Sequence, residues 1–184
     1  EYDVAITALE EALAIEPEYI PALIVLGGTY YDRAQLFPYR TQSVPAGLEE
    51  CISLDNIDNS AKDLDAAIAD TELAIRHLTR AAELADAQTS PFAPRAHMVL
   101  GLAYRARATW QTLQDDLDSA EASLAAAQAE LDMARADFTP ENDPVYYAWT
   151  EVSLGTVDRL RAHVAALRRD RAENAADRAA AQET

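Results

Sequence analysis

Three stretches of this chain carry one spacing of residues: Leu23-x-x-Leu26-Gly27-x-x-Tyr30, His97-x-x-Leu100-Gly101-x-x-Tyr104 and Glu151-x-x-Leu154-Gly155-x-x-Asp158. A second spacing alternates with them: Ala5-x-x-x-Leu9-x-x-Ala12, Ala74-x-x-x-Leu78-x-x-Ala81 and Ala127-x-x-x-Leu131-x-x-Ala134. Steps of three and four place each set on one face of an α-helix. A glycine inside a helix costs about 0.5–1 kcal/mol relative to alanine, so three at one register need a reason. Close approach of a second helix supplies one: glycine on one helix and alanine on the other let two backbones meet, while leucine and tyrosine fill the flanks. The alternation therefore predicts repeated helix pairs that stack to bury a shared core.

The breaks in the sequence fall between these patterns. An apolar stripe of Val4, Ala5, Ala8, Leu9, Ala12 and Ile15 predicts a helix over residues 1–16, ended by Pro17. A second helix starts near residues 19–21, where Pro21 suits a first turn, and runs to about Leu36. Residues 37–60, with Pro38, Pro45, Gly47 and a polar run from Asp55 to Ser60, read as a long inserted connection. Phe37, Tyr39, Val44, Leu48 and Ile52 within it would either pack over the helices or dock a partner. Asn59 or Ser60 reads as the cap of a helix from Ala61 to about Ala87. Two more helices follow at about residues 95–113 and 116–136, then a last one from Val145, with breaks at residues 89–94 and 139–144. Residues 168–184 have helical propensity but no large apolar side chain, and read as a charged tail, either a solvated or frayed helix end or a helix ordered on a partner. No strand pattern appears. Apolar residues make up 49% of the 184, against 5 glycines and 8 prolines, which is the composition of a folded helical chain.

These motifs resemble the tetratricopeptide repeat, which carries Leu-Gly then Tyr in the first helix of each pair and Ala, an aromatic, Ala and Pro around the second. Ala5 and Gly27 are 22 residues apart, the separation that a repeat of about 34 residues requires. Elsewhere the pattern is stretched: Gly27 to Ala74 is 47 residues and Gly101 to Ala127 is 26, with Ala120, Leu124 and Ala127 as a nearer alternative register. The aromatic position is degenerate, and the third Leu-Gly unit has Asp158 in place of its tyrosine. The resemblance implies an all-α fold in which antiparallel helix pairs stack as a short right-handed solenoid over residues 1–167. Residues 1–16 match a second helix without its first, which implies a longer chain or a larger complex.

The resemblance also implies a concave groove lined by the first helix of each pair. Its positions are Ile24, Gly28 and Tyr31, then Met98, Leu102 and Arg105, then Val152, Thr156 and Arg159, with Pro21, Arg95 and Trp149 one turn earlier. Of these, Ile24, Tyr31, Arg95, Met98, Arg105, Trp149 and Arg159 are the expected partner-binding residues. Three arginines in such a groove suit a protein or peptide partner that bears a carboxylate, and Tyr31 and Trp149 would be its anchors. The lysine and asparagine set with which some family members clamp a terminal carboxylate is absent.

The charge argues against other partners. With 15 basic and 32 acidic side chains the formal net charge is −17, which disfavours nucleic acid and anionic membranes. No apolar run reaches the roughly 18 residues of a membrane span. With no signal peptide visible the default compartment is the cytoplasm. Cys51 is the single cysteine, so no internal disulfide or cysteine-based zinc site can form. His77, His97 and His163 share no metal-ligand spacing and read as packing or surface residues. Asp55, Asp58, Asp63 and Asp65 lack the glycine and closing glutamate of a calcium loop. Leu26-Gly27-Gly28-Thr29 lies inside a helix and is no phosphate loop. No cofactor, metal or catalytic residues are expected. Two functions remain: a non-catalytic scaffold or adaptor that holds a partner segment on its concave face, or a structural subunit packed permanently in a larger complex or filament.

Overall fold

A computed structural model describes residues 1–36 and 55–182, with side chains at 1–36 and 63–175. Six helices make up this part: α1 (Tyr2–Ile15), α2 (Ile20–Ala34), α3 (Asp55–Ala87), α4 (Ala93–Leu113), α5 (Leu117–Asp137) and α6 (Pro144–Gln182). Among the described residues there is no strand, so the all-α expectation holds. Most boundaries fall within two residues of those read from the sequence. The start of α3 is a correction. It begins at Asp55, so Asn59 and Ser60 lie within the helix rather than capping it. No glycine or proline occurs between residues 48 and 90, and nothing in that stretch stops a helix. The rest of the predicted connection, with its aromatics and Cys51, lies outside the described residues.

Each helix packs against its neighbours in the chain, and α2 also touches α4, as α4 touches α6. Neighbours run in opposite directions, as residue pairs along them show. Going up α2, Gly27 sits on Leu78 and Ala74, and Arg33 reaches Asp70 further down α3. Going up α4, His97 meets Glu130, Gly101 meets Leu131 and Ala127, and Arg107 meets Ser123 of α5.

The two glycine contacts explain the motif spacing physically. A Cβ built on Gly27 would stand 2.5 Å from Leu78 Cγ and 3.1 Å from the Ala74 carbonyl oxygen. On Gly101 it would stand 2.7 Å from Leu131 Cγ and 3.2 Å from the Ala127 carbonyl oxygen. The structure thus selects Ala127 and Leu131, not Ala120 and Leu124, as the face seated on Gly101. Leu78, Ala74, Ala81, Leu131, Ala127 and Ala134 are fully buried, and each such leucine contributes about 1.5–3 kcal/mol through its burial.

Short connections hold the pairs together. After α3, Ser90 N–H donates to Ala85 O and Thr89 N–H to Asp86 O; after α4, Asp116 N–H donates to Gln111 O and Asp115 N–H to Thr112 O. Both are left-handed C-terminal caps, with Thr89 at φ 51° and Asp115 at φ 69° where glycine is usual. The stretch predicted as a tail is helical to Gln182. Its first turn is tied back to the start of α5: Arg168 donates to Asp118 at 2.6 Å and to the Leu117 carbonyl, and Arg171 donates to the Asp115 carbonyl. No helix of the described chain is long and apolar enough to cross a membrane.

Candidate functional site

One face of α2, α4 and α6 encloses a cleft of about 580 Å³. Its walls are the apolar and small residues that these helices leave uncovered between them. Ile24, Val25 and Gly28 come from α2, Met98, Val99 and Leu102 from α4, and Val145, Tyr146 and Trp149 from α6. Gly28 keeps the middle open: a Cβ there would meet only Val99 Cγ1, at 3.9 Å. Ile24 and Met98 form a buried floor, whereas Trp149 is 59% exposed at the rim.

Charge is placed at the edge. The Arg95 guanidinium lies 5.8 Å from the Tyr146 ring centroid, and the Trp149 ring meets Tyr146 edge-on at 6.4 Å. Asp32 lines the α2 wall, and the loss of water around it pushes its carboxyl above the usual carboxylate range. A second, smaller cleft of about 380 Å³ lies further along the same three helices, lined by Gln35, Arg105, Thr109, Thr156 and Arg159 among others. Tyr31 joins the two, since Arg105 Nη2 donates to its hydroxyl at 3.1 Å.

Of the residues expected to bind a partner, Ile24, Tyr31, Arg95, Met98 and Trp149 line the larger cleft, and Arg105 and Arg159 the smaller. The structure brings all seven onto one face. Val152, by contrast, is exposed and lines neither cleft. Asp32, Val25, Val99, Val145 and Tyr146 were missed. Asp32 stands four residues after Gly28 and Val25 four after Pro21, so four-residue spacing alone could have added both.

No protein-family model, no curated protein and no solved structure matches this chain.

Outside the clefts, His97 departs from a plain packing role. It is buried where α3, α4 and α5 meet, with Nδ1 at 2.6 Å from Glu130 Oε2 and Nε2 at 3.1 Å from Asp86 Oδ1. The hydrogen bond to Glu130, aided by that to Asp86, raises its pKa against the opposing effect of burial. The charged ring donates from both nitrogens, whereas the neutral ring would aim a lone pair at one carboxylate. Because the folded pKa lies above the unfolded value of about 6.5, the stabilisation is fully present below that pH and is lost as pH rises through the folded pKa. His97→Gln should cost about 1.5–3 kcal/mol near pH 6, the range for hydrogen bonds to charged groups, and less as the solution becomes alkaline. Urea unfolding of both proteins across pH checks this, and a difference independent of pH would refute it.

His77 stacks on Tyr30 with ring centroids 5.9 Å apart, and burial lowers its pKa. His163 is exposed. Among the described residues no group of three or more histidine, cysteine, aspartate or glutamate side chains could hold a metal ion.

Proposed function

We propose that this chain is a tetratricopeptide-like solenoid segment, without catalytic function, that binds a segment of a partner protein along the face of α2, α4 and α6. The observation that carries the proposal is the cleft of about 580 Å³ lined by those three helices with the largely exposed Trp149 at its rim. Exposed aromatic side chains beside apolar walls are what a peptide anchor needs. Packing restricted to near neighbours in the chain supports a solenoid, as does the repeated seat of glycine on an Ala-x-x-x-Leu face.

The electrostatics refine the partner's chemistry. Arg95 stands at one end of the face and Arg105 and Arg159 at the other, within a strongly acidic protein. The partner is a short segment with apolar side chains for the larger cleft and a carboxylate for the arginines. Peptides selected from a random displayed library against the wild-type protein should carry that combination. Tyr31→Ala, Arg105→Ala and Trp149→Ala together should weaken the selected peptides by about 2 kcal/mol or more, the scale of interface hot spots. Trp149 fluorescence should also shift on binding. Peptides that bind the folded triple variant as tightly as the wild type would rule out this face.

A structural-subunit role is the second reading. Val4 and Ile15 on α1 are 75% and 88% exposed, and apolar side chains this bare suit a neighbour that covers them.

A further inference from the structure

The pairing rule that builds the fold is left unfinished at both ends of the described chain. Three glycine faces exist, on α2, α4 and α6, and three Ala-x-x-x-Leu-x-x-Ala faces, on α1, α3 and α5. Within the chain α3 seats on Gly27 and α5 on Gly101, whereas a Cβ on Gly155 would meet nothing within 4 Å. Seven residues beyond each glycine, Ala34 and Ala108 are each 1% exposed, but Ala162 is open to solvent. Three residues before, Ile24 and Met98 are buried, but Val152 is 69% exposed.

The unused partner face is on α1. Ala5 and Ala12 are exposed, although their counterparts Ala74, Ala81, Ala127 and Ala134 are fully buried. Val4 and Ile15 flank them at the registers where α3 has Leu73 and Leu84, both packed into the core. Ile6 and Leu13, on the adjoining side of α1, are used against α2, and Leu9, between Ala5 and Ala12, is half-buried there and leaves part of its side chain on the open face.

A polar contact repeats with the same register. Six residues after each glycine stands an arginine. Arg33 forms a two-pronged bond with Asp70, both distances 2.7 Å, and Arg107 donates to Ser123 at 3.0 Å. Asp70 and Ser123 each lie four residues before the alanine that opens their motif. The third arginine is Arg161, whose partner among the described residues is Asp158 of its own helix, at 3.4 Å. The residue four before Ala5 is Glu1. Charge agrees along the whole length. Residues 1–16 hold five acidic and no basic side chains, net −5, whereas residues 144–171 hold five arginines and three acids, net +2.

We propose that two copies of this chain join head to tail, with α1 of one seated on the Gly155 face of α6 of the other in the register by which α3 seats on Gly27. Arg161 then turns from Asp158 to Glu1 of the second copy. The contact is heterologous, so it leaves one free face at each end and grows further or closes into a ring. A single helix-on-helix contact is small among specific interfaces, and the association is micromolar rather than nanomolar. It is independent of the cleft and of any peptide held there.

Sedimentation velocity on the 184-residue chain tests this. The wild type should sediment faster as concentration rises from about 1 to 300 μM. Gly155→Leu has open space around it and folds normally, and Ala12→Arg changes an exposed position; circular dichroism verifies both. Each variant alone should associate at least about tenfold more weakly than the wild type. Mixed, they should form a one-to-one dimer that grows no further, because one retains the α1 face and the other the α6 face. A wild type that remains monomeric throughout would overturn the proposal. Failure of the two variants to pair would overturn it equally, as would Gly155→Leu associating like the wild type.

Discussion

Gly27→Ala will destabilise the protein by roughly 1–3 kcal/mol, the usual cost of overpacking a filled site, although alanine is the better helix former by about 0.5–1 kcal/mol. The added methyl group would stand 2.5 Å from Leu78 Cγ and 3.1 Å from a backbone oxygen of α3. Leu78 is fully buried, and its branching carbon cannot swing away as the end of a long side chain would. The two helices must therefore separate, which loosens every contact between them. Gly101→Ala should behave alike and slightly more mildly, with its nearest atom, Leu131 Cγ, at 2.7 Å. Gly155→Ala should do the opposite and stabilise by about 0.5–1 kcal/mol, since nothing opposes the gain in helix propensity. Urea unfolding at a protein concentration low enough to keep the chain monomeric measures all three. Equal effects at the three glycines would mean that the close approaches on α2 and α4 do not constrain the fold.

That comparison also marks what the sequence made legible. The Leu-Gly-x-x-Tyr and Ala-x-x-x-Leu-x-x-Ala spacings pointed to close helix pairs, and the seats of Leu78 on Gly27 and Leu131 on Gly101 follow them. Even the stretch of 47 residues between Gly27 and Ala74 hid no change of partner. The start of α3 was misplaced because a polar run without glycine or proline looks the same in a loop as in an exposed helix turn. On the cleft, four-residue spacing located the face but not its width. Val145 and Tyr146 enter it because α6 begins right beside α4, and a connection's path is not encoded in helix periodicity. Spacing alone makes His97 a packing or surface residue. Its two carboxylate partners, Asp86 and Glu130, sit 11 and 33 residues away on other helices, a separation at which local pattern carries no information.

Trp110 was invisible for the same reason, and it sets the second large effect. It is buried near the end of α4, in a cluster with Ala34 of α2, Ala67 of α3 and Ala106 of α4, bordered by Tyr31, Leu64 and Ile68. The three buried alanines around the indole have no side chain that could move into its space. Trp110→Ala should therefore cost about 3–5 kcal/mol, a large share of the stability of a domain this size. Trp110→Phe separates the causes. The indole Nε1–H donates to Thr71 Oγ1 at 2.9 Å, and Thr71 in turn donates to the Ala67 carbonyl at 2.7 Å. Phenylalanine keeps most of the apolar volume and leaves the Thr71 hydroxyl bonded to Ala67, so its cost should be nearer 1–2 kcal/mol, a lost hydrogen bond plus a small void. Thermal unfolding should order the three proteins wild type, Trp110→Phe, Trp110→Ala. The same indole lines the smaller cleft and packs beneath Tyr31, whose hydroxyl holds Arg105. Trp110→Ala should thus also loosen the arginine end of the face, and a carboxylate-bearing peptide should lose more affinity for it than an apolar one. If the alanine variant unfolds with the wild type, this cluster does not hold α2, α3 and α4 together, and the arrangement of Tyr31 and Arg105 must have another support.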